Sequence, residues 1–210
     1  MNQNLEKIKV NNGKILPLME TFTTIQGEGF HSGKLAHFLR IGGCDIGCHW
    51  CDIKESWNSD LYPLINVEKI IETIDPLVNL IVISGGEPLI WNMSLLTDAL
   101  KKNNKKVHLE TSGAYQLSGY WDWICLSPKK NKPPVPELYK RANELKIIIY
   151  NKHDLIFAKK NAKHVKKDCI LFLQPEWSKK EKVMPFISKF MLENPNWRLS
   201  LQTHKYLGIK

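Results

Sequence analysis

The chain has 210 residues, a hydrophobic fraction of 43% and a formal net charge of +9, from 30 Lys and Arg against 21 Asp and Glu. This length can bury a core of its own, and the sequence has no run of eighteen apolar residues of the kind that crosses a membrane. Residues 1–10 lack the apolar stretch of a secretory signal. We therefore expect a cytoplasmic protein with reduced thiols, built as a single domain over residues 1–210 with residues 1–34 as an N-terminal extension.

The positive charge permits two interpretations. The lysines lie in runs at 101–106 and 159–167, and Asn rather than aromatic residues separate them. This composition favours a solvated surface without direct nucleic-acid binding, and an RNA-binding face is the alternative, because basic composition alone indicates only an electrostatic bias. An anionic substrate or cofactor would also be attracted by such a field.

Seven apolar segments rich in β-branched residues are predicted to be strands. Several of them are nearly unbroken rather than alternating, which is typical of strands covered on both faces. In chain order they are 35–41, 80–84, 107–110, 123–127, 145–150, 169–174 and 198–203.

Amphipathic segments with helical spacing lie between the predicted strands. They are 66–75, 93–102, 152–163 and 178–193. The alternation predicts an α/β fold with right-handed crossovers between parallel strands. We expect an incomplete TIM-like barrel of six to seven mostly parallel strands, with an open doubly wound sheet as the alternative.

Polar motifs stand at the carboxyl ends of these strands. CDIGCHWC, GGEP and ETSG end or follow the first three, SPK and QPEW the fourth and sixth, and QTHK the last. In α/β barrels these strand ends form one rim, and the active site is built there. The placement of the motifs therefore predicts an enzyme.

Three of the five cysteines, Cys44, Cys48 and Cys51, follow the spacing Cys-x3-Cys-x2-Cys. A disulfide takes two cysteines, and a structural zinc site takes four ligands. Three thiolates on a four-iron cluster leave one iron without a protein ligand, open to the N and O donors of a small molecule. The spacing predicts a [4Fe-4S] cluster.

A zinc knuckle with a remote fourth ligand, from His49, Cys125 or Cys169, is the alternative. Zinc sites generally use paired Cys-x2-Cys motifs, and the sequence has no second pair. Cys125 and Cys169 lie in predicted strands and are expected to be small buried apolar side chains. We expect His49 and Trp50 to shield the cluster rather than to bind iron.

The cysteine spacing followed by Gly-Gly-Glu-Pro at 85–88 resembles the radical S-adenosylmethionine (SAM) superfamily. In that superfamily the amine and carboxylate of SAM bind the open iron, and electron transfer cleaves the cofactor to a 5′-deoxyadenosyl radical. More narrowly, the chain resembles the 7-carboxy-7-deazaguanine synthase family from residue 24 to the C-terminus. The segments that carry this resemblance are TIQGEGFHSGKLAHFLRIGGC, WCD, SGGEPL, ETSG, LSPK, LQPEW and LQTHKYLGI.

The resemblance implies a lyase. Members of the family convert 6-carboxy-5,6,7,8-tetrahydropterin to 7-carboxy-7-deazaguanine with loss of ammonia, in the biosynthesis of queuosine and related deazapurines of tRNA. It also implies a [4Fe-4S] cluster, SAM and Mg²⁺ as cofactors, and a homodimer as the assembly. A reducing partner such as flavodoxin or ferredoxin would supply the electron.

The resemblance also assigns the site residues. The cluster is expected on Cys44, Cys48 and Cys51. Substrate contacts are expected from Ile25, Gln26, Gly27, Glu28, Arg40, Ser84 and His204. The SAM site is expected to include Gly86, Glu87, Ser127, Pro128, Lys129, Gln174, Pro175, Glu176 and Trp177.

Several of these residue types suit the chemistry on physical grounds. The planar fork of Arg40 matches a carboxylate, Glu28 can accept two hydrogen bonds from a 2-amino-pyrimidinone edge, and Glu87 can accept one from an ammonium group. A surface salt bridge for Arg40 and an ordinary glycine turn at 26–29 are the alternatives. For His204 the alternative is a solvated histidine, and the hypothesis is that it reaches over the substrate, together with the carboxylate of Lys210.

One position departs from the family pattern. Members often carry threonine two residues after the last cysteine, where its hydroxyl binds Mg²⁺, and this chain has Ile53. An isoleucine side chain offers no oxygen to a hard cation. Asp52, Ser56 or a backbone carbonyl with waters would have to substitute, so the magnesium ligands stay unassigned.

Two other functions compete with this one. A small radical enzyme that activates a glycyl-radical protein would share the cysteine spacing, but it would not need QGEG or Arg40. A zinc-stabilised RNA-binding module would account for the basic runs.

Overall fold

The computed structural model describes residue 10 and residues 12–210. A nine-stranded sheet runs through this part of the chain, in the order β3-β1-β2-β4-β5-β6-β7-β8-β9. The strands are β1 Ile15–Ile25, β2 Leu35–Ile41, β3 Leu64–Asn66, β4 Leu80–Gly85, β5 Lys106–Thr111, β6 Trp123–Leu126, β7 Glu144–Ile149, β8 Ile170–Pro175 and β9 Trp197–Leu199.

Seven of these strands, β2 and β4 to β9, pair in parallel, as the sequence predicts. The order ends at β3 and β9, so the described sheet is open rather than a closed ring. Strands β7 and β8 are buried along most of their length and β4 is buried at its apolar residues 81–83, which explains their unbroken apolar sequences. The expectation of an incomplete α/β barrel is confirmed.

Within residues 12–210, six α-helices connect or follow the strands. They are α1 Val67–Glu72, α2 Ser94–Lys102, α3 Pro136–Arg141, α4 Asp154–Ala162, α5 Lys180–Glu193 and α6 Thr203–Leu207. Helices α1, α2, α4 and α5 correspond to the four predicted amphipathic segments. Some of their apolar side chains, namely Ile70, Leu96, Leu100 and Ile187, are fully buried in one hydrophobic core. No described helix has the length and apolarity needed to cross a membrane.

Strand β1 was not predicted, and it makes part of the N-terminal region a component of the sheet. It pairs antiparallel with β2 over seven positions and with β3 over three. Its first four residues are buried, but the rest alternate between partial burial and exposure, so it lacks a long apolar run. Most of residues 15–34 therefore belongs to the sheet and is not an extension outside it.

The last predicted strand, 198–203, is shorter than expected. Strand β9 ends at Leu199, and Thr203 begins helix α6. The chain leaves the sheet because Ser200 and Thr203 bond to the loop after β1: Gly29 N donates to Ser200 Oγ (3.0 Å), and Thr203 N donates to the carbonyl of Gly27 (3.0 Å). QTHK therefore lies where the chain enters a helix over the rim of the sheet.

Candidate active site

The carboxyl ends of the parallel strands surround a cavity of about 470 Å³. All of the predicted site residues line this cavity except Pro128, which lines a smaller neighbouring pocket with His49. Residues from both ends of the chain meet here, since Gln26 and Lys205 face the same space. The rim of strand ends is therefore the place where the predicted site residues come together.

The loop that carries the three cysteines is held by backbone hydrogen bonds on its entry side. Gly42 N donates to the carbonyl of Pro17 (2.8 Å), and Gly43 N donates to that of Ser56 (2.7 Å). Cys44 N donates to the carbonyl of Trp57 (3.1 Å). The residues after the last cysteine thus turn back and fix the residues before the first one, which presents the thiols to the cavity.

The GGEP segment lies directly against this loop. Gly86 N donates to the carbonyl of Ile41 (2.9 Å), and Glu87 N donates to that of Gly43 (2.9 Å). A Cβ atom at Gly86 would lie 2.3 Å from the carbonyl oxygen of Gly43, so no other residue fits without a backbone shift. The backbone at Gly85 and Gly86 lies so close to Ile41 and Gly43 that neither glycine position has room for a side chain.

All five cysteines are free, and the three thiols of the motif face the cavity. Within the described chain, the three sulfur atoms do not form a group with all distances below 4.8 Å. Zn–S bonds of about 2.3 Å would bring tetrahedral thiolates to about 3.8 Å from one another. The three thiols are therefore not gathered as closely as a single zinc ion would hold them.

None of the three suggested fourth zinc ligands, His49, Cys125 and Cys169, lines the main cavity. Cys125 and Cys169 are buried outside the cavity, and burial raises the pKa of the Cys169 thiol to about 12. Cys169 lies one residue before β8 rather than within it. The ring of His49 packs edge-on against Tyr150, with centroids 4.8 Å apart. The donor set of the cysteine loop is therefore three thiols, which fits a cluster with one open iron.

Glu87 has a role that differs from its expected one. Its carboxylate accepts from the amides of Leu89 (3.2 Å) and Ser112 (2.8 Å) and from the hydroxyls of Thr111 (2.6 Å) and Ser112. Four donors fill the acceptor capacity of a carboxylate. In this structure Glu87 joins the GGEP and ETSG loops and has no acceptor left for an ammonium group.

The QGEG segment packs under the C-terminal helix. A Cβ atom at Gly27 would lie 2.2 Å from Nδ1 of His204, and the Thr203 hydroxyl donates to the carbonyl of Gly27 (3.0 Å). Burial lowers the pKa of His204, although the Glu28 carboxylate opposes the shift. His204 is therefore a half-buried neutral side chain over QGEG and not a freely solvated one.

A buried ionic network lies beside QGEG, and the sequence reasoning missed its centre. Lys146, which is 4% exposed, donates to Glu28 Oε2 (2.6 Å) and to Glu110 Oε2 (2.9 Å). Glu144 is also buried and accepts from Phe30 N (3.0 Å), while Gln202 donates to Glu28 Oε1 (2.9 Å). The sequence contains a signal for this network: Lys146 is a charged residue inside the apolar strand LKIII, and a charge in such a strand is costly unless it is paired.

The network sets the charge of Glu28. Burial alone would raise its pKa, but Lys146 lowers it to about 2, so Glu28 is a carboxylate at neutral pH. Burial and the carboxylates of Glu144 and Glu28 raise the pKa of Glu110. Burial opposes the charge of Lys146, yet the surrounding acidic groups raise its pKa and keep it an ammonium. One buried ammonium group thus pairs with two carboxylates, those of Glu28 and Glu110.

Arg40 both forms a salt bridge and faces the cavity, which are the two environments predicted for it. Its guanidinium forms a salt bridge with Glu20 (3.1 Å) and lies 5.3 Å from the centroid of Phe22. It also lines the cavity. Lys210 pairs with the same carboxylate of Glu20 (2.5 Å), and its carbonyl oxygen accepts from the Thr24 hydroxyl (3.0 Å).

The remaining residues form the far wall of the cavity. Lys129 donates to Ser127 Oγ (2.6 Å) and lies over the ring of Trp50 (5.4 Å), and burial lowers its pKa. Gln174 Oε1 accepts from the Ser200 hydroxyl (2.7 Å). These contacts leave the amide nitrogen of Gln174 as a donor that can point to a ligand.

The residues near Ile53 do not fit a divalent cation. The Ser56 hydroxyl donates to the carbonyl of Ile53 (2.7 Å), and the Asp52 carboxylate accepts from the ammonium of Lys205 (2.6 Å). The Asp52 and Ser56 oxygens suggested to replace a threonine thus already have partners, and the partner of Asp52 is an ammonium group.

An open α/β barrel with three thiols facing its rim defines a radical SAM enzyme, and the sequence model of the Radical SAM superfamily matches residues 39–125. The chain is 60% identical to the 7-carboxy-7-deazaguanine synthase of Flavobacterium psychrophilum over 97% of each chain. It is 44% identical to the enzyme of that name from Synechocystis sp., over 92% of this chain and 93% of the relative. The chain belongs to the 7-carboxy-7-deazaguanine synthase family.

A solved structure gives the same result for the fold. The crystal structure of QueE from Escherichia coli superposes with a TM-score of 0.81 at 28% identity, covering 93% of this chain and 97% of that one. The radical SAM family implies a [4Fe-4S] cluster and SAM as cofactors and a small-molecule substrate.

Replacing Gly86 with alanine is expected to prevent stable cluster binding, because the new Cβ would meet the Gly43 carbonyl at 2.3 Å and push the cysteine loop away. Overpacking of this kind costs about 1–3 kcal/mol. Iron per chain after anaerobic reconstitution, together with thermal unfolding, measures the effect. Gly47→Asn is the matched control in the same loop, since a Cβ at Gly47 has no neighbour within 4 Å and Asn tolerates its positive φ of 69°. A Gly86→Ala protein with full iron content would contradict the packing argument.

Replacing Lys146 with methionine is expected to destabilise the protein by about 3–5 kcal/mol at pH 8, because it leaves buried carboxylates without a cation. The pKa of Glu28, about 2 in the folded chain, lies below its ordinary 4.5. The stability that Glu28 contributes is therefore present above pH 4.5 and is lost as the pH falls toward 2. The deficit of Lys146→Met should shrink when denaturant unfolding is repeated at pH 4. Lys102→Met, which removes an exposed ion pair with Asp98, should behave like the wild type. A deficit that stays constant with pH would contradict the network.

Proposed function

We propose that this chain converts 6-carboxy-5,6,7,8-tetrahydropterin to 7-carboxy-7-deazaguanine, with contraction of the ring and loss of ammonia. The observation that carries the proposal is the single cavity shared by three free thiols, QGEG, Arg40 and the C-terminal helix. The printed name of relatives at 60% and 44% identity supports the same product. The product would enter the biosynthesis of queuosine or another deazapurine.

The cysteine loop supplies the cluster ligands. Cys44, Cys48 and Cys51 would hold three irons and leave the fourth open, and the cluster with SAM supplies radical chemistry when bound. Gly86 would let the methionyl end of SAM approach the backbone closely. Glu87 would position the GGEP and ETSG loops rather than contact the ammonium group itself, since its oxygens already accept four hydrogen bonds.

The far wall would hold the rest of SAM. Ser127, Lys129 and residues 174–177 border the cavity on this side. Lys129 is a partly buried cation without a described carboxylate contact within salt-bridge distance, so it can meet a negative ligand group. Pro128 faces the neighbouring pocket and would act through the backbone geometry of its neighbours.

QGEG and the C-terminal helix would bind the pterin. Glu28 is ionised, and its carboxylate can accept hydrogen bonds from the 2-amino edge beside the donors it already has. Arg40 would meet the substrate carboxylate. Ile25, Gln26, Gly27, Ser84 and His204 complete this end of the cavity.

The partners and setting belong to the same proposal. An electron must reach the cluster, so we propose a flavodoxin or ferredoxin as the reducing partner. A homodimer and a cytoplasmic location are proposed from the family resemblance. A requirement for Mg²⁺ is not part of the proposal, because the oxygens near Ile53 are engaged elsewhere.

Replacing Cys48 with alanine is expected to abolish turnover, because two thiolates do not hold the cluster in place. The assay uses reconstituted protein under anaerobic conditions with SAM, a reductant and the carboxylated tetrahydropterin, and it follows the deazaguanine product by absorbance and mass. Cys169→Ala is the control, since Cys169 is buried away from the cavity and should leave the product yield unchanged. Product formation by Cys48→Ala, or none by the wild type, would refute the proposed function.

A further inference from the structure

The ion pair between Lys205 and Asp52 lies next to Ile53, the position where the family resemblance expects a metal-binding threonine. Asp52 directly follows the last cysteine, and Lys205 comes from helix α6 at the other end of the chain. The ammonium nitrogen of Lys205 lies 2.6 Å from Oδ2 of Asp52, and both residues line the main cavity. The contact joins the cysteine loop to the C-terminal helix.

Lys205 is held in this position by its surroundings. Its amide donates to the carbonyl of Gln202 (3.0 Å), and the adjoining Thr203 is bonded to Gly27, which fixes the start of the helix. The Lys205 ammonium lies 5.6 Å from the centroid of Trp177. Its side chain is 22% exposed, so the charge is at the wall of the cavity rather than in bulk water.

Lys205 also keeps donors for a ligand. An ammonium group has three N–H donors, and Asp52 takes one of them. Asp52 is 56% exposed, so its hold on Lys205 is weakened by solvent. Among the other cations of the cavity, Arg40 and Lys210 share Glu20 and Lys146 lies between Glu28 and Glu110, while Lys129 lies on the far wall beside Ser127.

We propose that Lys205 supplies the positive charge that a divalent ion would bring to this end of the cavity, and that this chain binds its carboxylated substrate without such an ion. The ammonium would bridge the Asp52 carboxylate and the substrate carboxylate, as a metal between two acidic groups does. This inference rests on the proposed function, because it takes the carboxylated pterin as the ligand.

The first test asks whether a metal is bound. Anaerobic, reconstituted wild-type protein is titrated with the carboxylated tetrahydropterin in the presence of SAM, either with a chelator or with Mg²⁺, and the dissociation constant is measured by calorimetry. Mn²⁺ alone then replaces Mg²⁺, and bound ion is counted by electron paramagnetic resonance. We expect dissociation constants that agree within about twofold and no stoichiometric bound Mn²⁺. One equivalent of bound Mn²⁺, or tighter binding in Mg²⁺ by tenfold or more, would overturn the inference.

The second test asks whether Lys205 supplies the charge. Lys205→Met is expected to weaken pterin binding by about ten- to hundredfold, the range for a hydrogen bond to a charged group, while Lys205→Arg keeps most of the affinity. Lys132→Met is the control, because Lys132 forms a comparable ion pair with Asp45 of the cysteine loop outside the cavity (2.8 Å). Iron content and circular dichroism establish that each variant is folded.

The outcomes separate the two proposals. Unchanged pterin affinity in a folded Lys205→Met protein would overturn the inference and leave the proposed function intact. If Lys205→Met does not fold, the Mn²⁺ count on the wild type still decides. Wild-type protein that neither binds nor converts the pterin, with or without metal, would refute the proposed function and the inference with it.

Discussion

The site depends on two backbones in direct contact at the carboxyl ends of neighbouring strands. The amides of Gly86 and Glu87 donate to the carbonyls of Ile41 and Gly43, and the missing Cβ of Gly86 makes the 2.9 Å distances attainable. Parallel pairing of β2 with β4 brings these segments together, because it aligns their carboxyl ends. A loop that binds a cluster needs rigid support. Here the support comes from backbone hydrogen bonds, which do not depend on side-chain rotamers. The three thiols then take their spacing from the fold rather than from side-chain packing.

Glu87 extends this support to a third loop. Its carboxylate receives four hydrogen bonds, two from backbone amides and two from the hydroxyls of Thr111 and Ser112. Since it is 1% exposed, it requires all of these donors, because a buried carboxylate without partners is costly. GGEP is therefore a structural unit: its glycines contact the cysteine loop, and its glutamate contacts ETSG. The Lys146 network does the same on the substrate side, where a single ammonium holds carboxylates from β5 and from QGEG.

Sequence reasoning placed the rim correctly because strand ends are a topological consequence of the fold. Unbroken apolar strands followed by Gly, Pro and polar motifs predicted both the parallel sheet and the residues that meet at its edge. Strand β1 was not predicted because its ILPLMETFTTI sequence mixes Pro17 and threonines with apolar residues, and more than half of it is partly exposed. The partners of Glu87 and Lys146 were missed for another reason. A charged residue inside an apolar strand indicates that it has a partner, but only the three-dimensional structure identifies that partner.

The QGEG side of the cavity is assembled from segments that are far apart in the sequence. Thr203 bonds to Gly27 across 176 positions, Gln202 bonds to Glu28 across 174, and Lys205 reaches Asp52 across 153. The cysteine loop and GGEP, by contrast, are close in sequence and joined by adjacent strands. The support of the cluster loop can therefore form from local parts, whereas QGEG acquires its shape only after β9 has docked and α6 has closed over it. Helix α6 has no buried residue of its own, and segments with few buried contacts open locally at low free-energy cost. Local opening of α6 would therefore release QGEG first, while the cluster loop keeps its backbone hydrogen bonds to Pro17, Ser56 and Trp57.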